Sequence, residues 1–236
     1  MRFPLRLSAD LLKAKVSNLL PGASKVPAIL RIEPDENALV RASQSASPVI
    51  WLGGTDPLLF PEVGRIANSL VEMKRHVFLN TDGCLLRQRI HEFRPDSRLF
   101  LTVEFLGTEE AHNRAAGRAD AFRRALEGIH AVKLSGFLVA AHFTVTNETD
   151  PCQIGELIES LDNKEVDGFI VSTGGRFSEV QIAALSETLE DTRAMIRCGR
   201  WENFSRLLEA SYVHSARARE EECLSASGES VYEEGD

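Results

Sequence analysis

The sequence predicts an α/β protein in which parallel strands form either an incomplete TIM-like barrel or an open doubly wound sheet. Short apolar runs alternate with amphipathic helical segments, which is the pattern of parallel strands joined by helical crossovers. Several runs are apolar almost throughout, as expected for strands that are covered on both faces. Hydrophobic residues make up 43% of the 236 residues, so one domain with a sizeable core is expected.

The N-terminal part predicts one helix and two strands. Residues 8–20 carry leucine and valine at helical spacing, and Pro21 ends that helix. The run PAILRIE at residues 27–33 is apolar and is closed by Pro34, which indicates a strand. The run PVIWLG at residues 48–53 predicts the second strand, which ends in glycine.

The middle of the chain continues the alternation. Residues 61–74 have a helical period and lead to a strand at residues 76–80 (HVFLN), which an Asp-Gly turn closes. A short helix at residues 85–93 precedes the fourth strand at residues 98–105 (RLFLTVEF). Residues 119–135 place their apolar side chains on one helical face.

The last third repeats the same pattern. Two apolar runs, FLVAAHFTV and GFIVS, predict strands on either side of a helix, and two more helices flank a predicted seventh strand. In chain order these are a strand at 137–145, a helix at 153–161, a strand at 168–172, a helix at 178–192, a strand at 194–197 and a helix at 202–219.

We predict four segments: an N-terminal helical segment (1–26), the partial barrel (27–200), a C-terminal helix (201–219) and an acidic tail (220–236). The tail holds seven acids and no lysine or arginine, so it is expected to be disordered. The net charge of −8 is concentrated there, since the remaining 28 acids and 27 bases almost balance. A body without a basic excess disfavours nucleic-acid binding.

Cysteine usage and hydropathy indicate the cellular setting. The four cysteines, Cys84, Cys152, Cys198 and Cys223, have no CxxC spacing, so no disulfide framework is predicted and a reducing cytoplasm is expected. No apolar run approaches the roughly 18–20 residues that cross a bilayer. The N-terminus has no secretory signal pattern, so neither a membrane span nor export is predicted.

Small and polar residues collect where the predicted strands end. Because the carboxyl ends of parallel strands meet at one edge of the sheet, we expect these residues to share a ligand-binding rim. The three acids among them could contact sugar hydroxyls, hold a metal ion, or act as general acid and base. The alternative is that Asp56 and Asp82 cap neighbouring helices. The candidate residues are Gly53, Gly54, Thr55, Asp56, Thr81, Asp82, Glu104 and Asn147.

None of the six histidines forms a metal-binding motif. His142 lies in the middle of a predicted strand, and we expect it to be a core residue with satisfied hydrogen bonds. His112 is predicted to lie in a loop next to Arg114, where it either caps a helix or contacts a ligand.

From about residue 49 to residue 147 the order of these motifs resembles the radical S-adenosylmethionine (SAM) superfamily. The segment Gly53–Glu62 (GGTDPLLFPE) is similar to that family's glycine-rich SAM loop, and Thr81-Asp82-Gly83 is similar to its Thr-Asn-Gly. The resemblance implies an incomplete TIM-like parallel β/α barrel of the radical SAM type that carries SAM and a [4Fe-4S] cluster. It also implies that Asp56 meets the amino group of the SAM methionine and that Glu104 meets the ribose.

The sequence departs from the family at the cluster. Three closely spaced cysteines should follow the first strand, but residues 34–47 contain none. These fourteen residues are also too few for both a cluster loop and a first helix of the usual length. Iron–sulfur clusters are held by thiolates, so no metal site is predicted there. Cys84 and Cys152, which follow other strands, are the remaining candidates for a non-standard cluster.

Three functions therefore stay open. The first is a degenerate radical SAM-like protein that binds SAM or a related nucleoside, or that serves as the partner of an active enzyme. The second is an active radical SAM enzyme with an unusual cluster, and the third is a cofactor-independent enzyme that uses Asp56, Asp82 and Glu104. The expected partner is a small-molecule ligand or an enzyme, not a nucleic acid, and the oligomeric state is not predicted.

Overall fold

The computed structural model describes residues 3–21, 25–161, 166–175 and 177–228, with backbone only at residue 179 and at residues 214–228. Six parallel strands form one sheet in the order β1-β2-β3-β4-β5-β6. The sheet is curled into an incomplete β/α barrel, so the barrel prediction is confirmed. The strands are β1 (Ile29–Ile32), β2 (Val49–Leu52), β3 (His76–Thr81), β4 (Leu99–Phe105), β5 (Leu138–Thr144) and β6 (Gly168–Ser172).

Helices connect the strands and flank the sheet. None of the described helices is both long and apolar enough to cross a membrane. The helices are α1 (Leu5–Ser17), α2 (Ala38–Ser43), α3 (Val63–Glu72), α4 (Leu86–Arg89), α5 (Glu109–Ala116), α6 (Ala121–Leu134), α7 (Pro151–Ser160), α8 (Glu179–Ala184), α9 (Ser186–Ala194) and α10 (Gly199–Gly228), with 3₁₀ turns at Pro57–Leu59 and Ile90–Glu92.

Three details of the sequence-based prediction change. Residues 194–197 form no strand, because they close α9 and turn into α10. Helix α5 lies where a loop was expected, and its acidic first turn and the left-handed Gly117 after it are favourable helix ends. Helix α10 extends past residue 219 to Gly228, while residues 229–236 of the predicted acidic tail lie outside the described residues.

Aromatic side chains fill the inside of the curled sheet. Trp51, Phe78 and Phe100 are neighbours across β2, β3 and β4, and the Phe78 and Phe100 rings stack with centroids 4.6 Å apart. Helix α10 adds Trp201 and Phe204 to this cluster, and both are fully buried. The helix therefore packs against the concave face of the sheet.

Helix α10 also contacts the two edge strands of the sheet, β1 and β6. On β6 it reaches the backbone, where the Val171 N–H donates to the Ser205 hydroxyl at 3.0 Å. On β1 the guanidinium of Arg31 lies 3.8 Å from the centroid of the Tyr212 ring. One helix thus spans the side of the barrel that the six strands leave open.

Candidate functional site

The glycine loop that follows β2 is held by a side chain from the end of β1. Gly53 continues the ladder by donating its N–H to the Ile32 carbonyl at 3.1 Å. Gly54 has φ +107°, a conformation that favours glycine. The next N–H, from Thr55, donates to the carboxylate of Glu33 at 3.0 Å. The Glu33 side chain lies so close that a Cβ on Gly54 would approach its Cδ to 2.8 Å.

Asp56 and Asp82 lie next to each other at the ends of β2 and β3. Asp56 accepts a hydrogen bond from the Leu58 N–H at 3.0 Å, and Asp82 accepts one from the Cys84 N–H at 2.8 Å. Asp56 therefore caps the 3₁₀ turn Pro57–Leu59, which was the alternative to a ligand role. The bond of Asp82 closes a local turn instead, because α4 begins at Leu86 without a side-chain cap. Burial, with the repulsion of Asp82 added, raises the pKa of Asp56 to about 6. Thr81 is buried, and its hydroxyl accepts from the Gly83 N–H at 3.2 Å.

Glu104 has hydrogen-bond partners of its own on two flanking strands. Its carboxylate accepts from the Thr144 hydroxyl at 2.6 Å and from the Asn80 side-chain amide at 3.4 Å. The carboxylate is half-buried, so the bonds position it without sealing it from a ligand. Glu104 therefore has different hydrogen-bond partners from the Asp56–Asp82 pair, although all three acids lie at the same edge of the sheet.

The network of Glu104 continues through a buried histidine. His142 is bonded through Nδ1 to the Asn80 amide oxygen at 2.9 Å and through Nε2 to the Ser172 hydroxyl at 2.7 Å. Because the Asn80 amide nitrogen donates to Glu104, its oxygen accepts, so Nδ1 carries the proton and the Ser172 hydroxyl donates to Nε2. The Gly174 N–H in turn donates to Ser172 Oγ at 3.1 Å. The prediction that His142 is a satisfied core residue is confirmed.

Helix α10 contributes polar groups that sequence reasoning missed. The Glu209 carboxylate accepts from the Thr173 N–H and from the Thr173 hydroxyl, each at 2.7 Å. Tyr212 is almost fully buried beside Arg31, and burial raises the pKa of its phenol. Local sequence carries no signal for these contacts, because the partners lie on elements far apart in the chain. Side chains alternate between the two faces of a strand, and this alternation along β3, β5 and β6 could have indicated that Asn80, Thr144 and Ser172 belong to the site.

Asn147 lies apart from the acids, and His112 is not in a loop. Asn147 is exposed and lines a groove of about 400 Å³ with Gly107 and Asp150, a groove that none of Asp56, Asp82 and Glu104 lines. His112 sits on α5 and is buried, so burial lowers its pKa. Its Nδ1 accepts from the Leu106 N–H at 3.2 Å, which ties α5 to the end of β4.

The described thiols lie on separate elements. Cys84 is half-buried in the turn that follows β3, Cys152 is exposed in the first turn of α7, and Cys198 precedes α10. Burial, and next the charge of Asp82, raise the pKa of Cys84 to about 11, so this thiol is protonated at neutral pH. No three histidine, cysteine, aspartate or glutamate side chains that could share a metal ion are grouped within the described part of the chain.

A short helix occupies the β1–β2 crossover, where cysteines would be needed. The fourteen residues accommodate α2, held by Arg41, which donates to Asp35 and to the Glu33 carbonyl, each at 2.8 Å. The crossover offers backbone, hydroxyl and carboxylate groups but no thiol. These groups do not fit an iron–sulfur cluster, which requires thiolate ligands.

The structure defines a partial parallel β/α barrel of the radical SAM type. SuiB of Streptococcus suis has the same fold: its S-adenosylmethionine complex gives a TM-score of 0.55 at 15% identity, covering 79% of this chain and 48% of SuiB. The SuiB complex with precursor peptide SuiA gives 0.54 at 15% identity, covering 79% of this chain and 50% of SuiB. No family model matches the chain.

A curated protein is also similar in sequence. Fe-coproporphyrin III synthase of Methanosarcina barkeri (strain Fusaro / DSM 804) is 26% identical over 153 residues, which is 64% of this chain and 38% of that protein. The chain thus spans well under half of that relative and about half of SuiB. It is a distant relative of the radical SAM superfamily, as the order of its rim motifs indicated.

Proposed function

We propose that this chain is a degenerate radical SAM-like protein that does not cleave SAM reductively by itself. The observation that carries the proposal is the β1–β2 crossover, where α2 and its Arg41–Asp35 ion pair stand in place of a thiol-bearing loop. An iron–sulfur centre needs thiolates, and the described thiols lie apart from one another, in the turn after β3, on α7 and just before α10.

We further propose that the rim holds SAM or a related nucleoside as a bound ligand. The chemistry of the rim supports this, because carboxylates accept hydrogen bonds from an ammonium group and from ribose hydroxyls. Glu33 and Asp56 flank the glycine loop and would hold the ammonium, while the half-buried Glu104 would accept from the ribose. SAM, if bound, supplies a sulfonium; the residues of the rim would orient it and neutralise its charge.

Iron uptake tests the first part of the proposal. We expect the protein, purified anaerobically and treated with iron and sulfide, to show no absorbance band at about 400 nm, the region of thiolate-to-iron charge transfer. A stable cluster would contradict the proposal. If a cluster formed, Cys84→Ser and Cys152→Ser variants would show whether these two thiols hold it.

Calorimetric titration with SAM tests the second part. Asp56→Asn and Glu104→Gln remove charge while keeping an oxygen for the bonds to Leu58 and Thr144. Each should weaken binding about tenfold, because hydrogen bonds to a charged group are stronger than neutral ones. Asp191→Asn, at an exposed position on α9, is the matched control and should bind as the unmodified protein does. Unchanged affinity in both rim variants, or no binding of SAM to the unmodified protein, would refute this part and leave the first untouched.

A further inference from the structure

Helix α1 exposes apolar side chains that nothing in the described structure covers. The exposed fractions are 76% for Leu5, 62% for Leu12 and 51% for Val16, and in the turn after the helix 74% for Leu19 and 60% for Leu20. Leu5, Leu12 and Val16 are seven and four residues apart, so they lie on one helical face. We call these five residues the leucine stripe.

The opposite face of α1 attaches the helix to the barrel. Leu7 on that face is fully buried, and Asp10 is bonded to the buried His76 at 2.9 Å. Helix α1 is therefore apolar on two sides, and its packing on the body does not use the leucine stripe. A globular protein has no folding reason to keep such an apolar face in water, because exposed contiguous apolar surface marks sites of interaction.

Basic side chains border the leucine stripe on both sides. At 100° per residue, Arg6 and Lys13 fall on one flank and Lys15 on the other, and all three are exposed. The grooves alongside add Lys74 on the Lys13 side and Arg200 on the Lys15 side. The acid of α1, Asp10, is turned inward to His76, so the exposed face is basic although the chain carries a net charge of −8.

We propose that the leucine stripe docks helix α1 on the surface of an anionic lipid bilayer. An apolar face bordered by lysine and arginine matches that surface, because the leucines enter the acyl boundary while the cations meet anionic headgroups. A second copy of the chain fits less well, since a two-fold contact through the stripe would place basic residues against basic residues. The stripe lies along the membrane in this proposal and does not cross it.

Docking through α1 leaves the rim accessible. Asp10 contacts His76, which is the first residue of β3, so α1 lies at the amino ends of the strands. The rim acids lie at the carboxyl ends, on the opposite side of the barrel. The proposal is therefore independent of what the rim binds.

Co-sedimentation with vesicles tests the docking surface. The full chain should sediment with vesicles of phosphatidylcholine and phosphatidylglycerol, not with vesicles of phosphatidylcholine alone, and added salt should weaken the binding. The double variant Leu12→Ser/Leu19→Ser should bind at least about tenfold more weakly. The control is Leu134→Ser, which removes a leucine on α6 that is 77% exposed, and it should bind normally.

Two charge-reversal variants, one beside the leucine stripe and one away from it, complete the test. Lys15→Glu should weaken binding to anionic vesicles about tenfold, whereas Arg87→Glu, an exposed position on α4, should change it little. The proposal is overturned if the chain binds neither vesicle type, or if Leu134→Ser weakens binding as much as the stripe variant. It is also overturned if sedimentation velocity shows a dimer that the stripe variant abolishes without any vesicle binding, because a second copy then covers the face.

Discussion

The carboxylate of Glu33 accepts a hydrogen bond from the backbone N–H of Thr55 at 3.0 Å and so joins the end of β1 to the glycine loop after β2. The two residues are 22 positions apart in the chain, so this bond is a tertiary contact and not a local turn. It also explains how the loop keeps its shape next to Gly54, which adopts φ +107°.

Removing the Glu33 carboxylate should loosen the glycine loop. Glu33→Ala leaves the Thr55 N–H to water, so we expect the free energy of unfolding to fall by about 1 kcal/mol, a usual value for one such bond at an exposed site. Urea unfolding measures the change. Glu36→Ala, three residues on and exposed, is the control and should be neutral; an equal loss in both variants would contradict the role of Glu33.

The pKa of Asp56 makes stability depend on pH. Burial and the neighbouring Asp82 raise this pKa to about 6, so between about pH 4 and pH 6 the native protein holds a proton that the unfolded chain has released. The free energy of unfolding should therefore fall as the pH rises through that window. The stability that the protonated Asp56 carboxyl contributes is lost once the pH rises above the raised pKa of the folded state.

Asp56→Asn should remove most of this dependence. The amide carries no charge and keeps an oxygen for the Leu58 N–H, so the variant should be more stable than the unmodified protein at pH 7 by about 1–3 kcal/mol. Urea unfolding at several pH values measures the slope. Asp191→Asn should retain the slope of the unmodified protein, and an unchanged slope in Asp56→Asn would exclude Asp56 as its source.

The buried His142 network should be sensitive to loss of one hydroxyl. Ser172→Ala removes the hydroxyl that donates to His142 Nε2 and accepts from the Gly174 N–H, and losing a hydrogen bond to a buried group costs about 1–3 kcal/mol. We therefore expect the free energy of unfolding to fall by roughly 2–4 kcal/mol. In Ser160→Ala the lost hydroxyl is exposed and donates only to the Leu157 carbonyl, so this variant should be near neutral; similar stability of the two variants would contradict the network.

Gly168 is required for helix α10 to pack against β6. A Cβ at this position would lie 2.1 Å from the Trp201 ring, which is fully buried, so Gly168→Ala must displace the helix or the strand. We expect a loss of about 3 kcal/mol, the upper end of the usual cost of overpacking a tight core. Gly199→Ala, where the added methyl meets nothing within 4 Å, should leave the melting temperature almost unchanged.

Sequence reasoning predicted the strands well, because each is a compact apolar run between turn residues. All six predicted strands other than residues 194–197 are present, and none of their ends shifts by more than two residues. The 194–197 prediction was wrong because a run of this kind can equally end a helix, and here Ile196 is buried at the close of α9. Helix α5 was missed because its polar composition carries little periodicity, although Gly117 marks its end.

The sequence by itself determined the parallel β/α alternation and the lack of thiols in residues 34–47, since apolar periodicity and cysteine positions are local properties that need no packing to be read. Only the tertiary structure decided which side chains meet at the rim: Glu33 with Thr55, Asn80 and Ser172 with His142, and Glu209 with Thr173. These pairs are separated by 22 to 62 residues. Their contact depends on how the sheet curls and where α10 packs, which no short segment specifies.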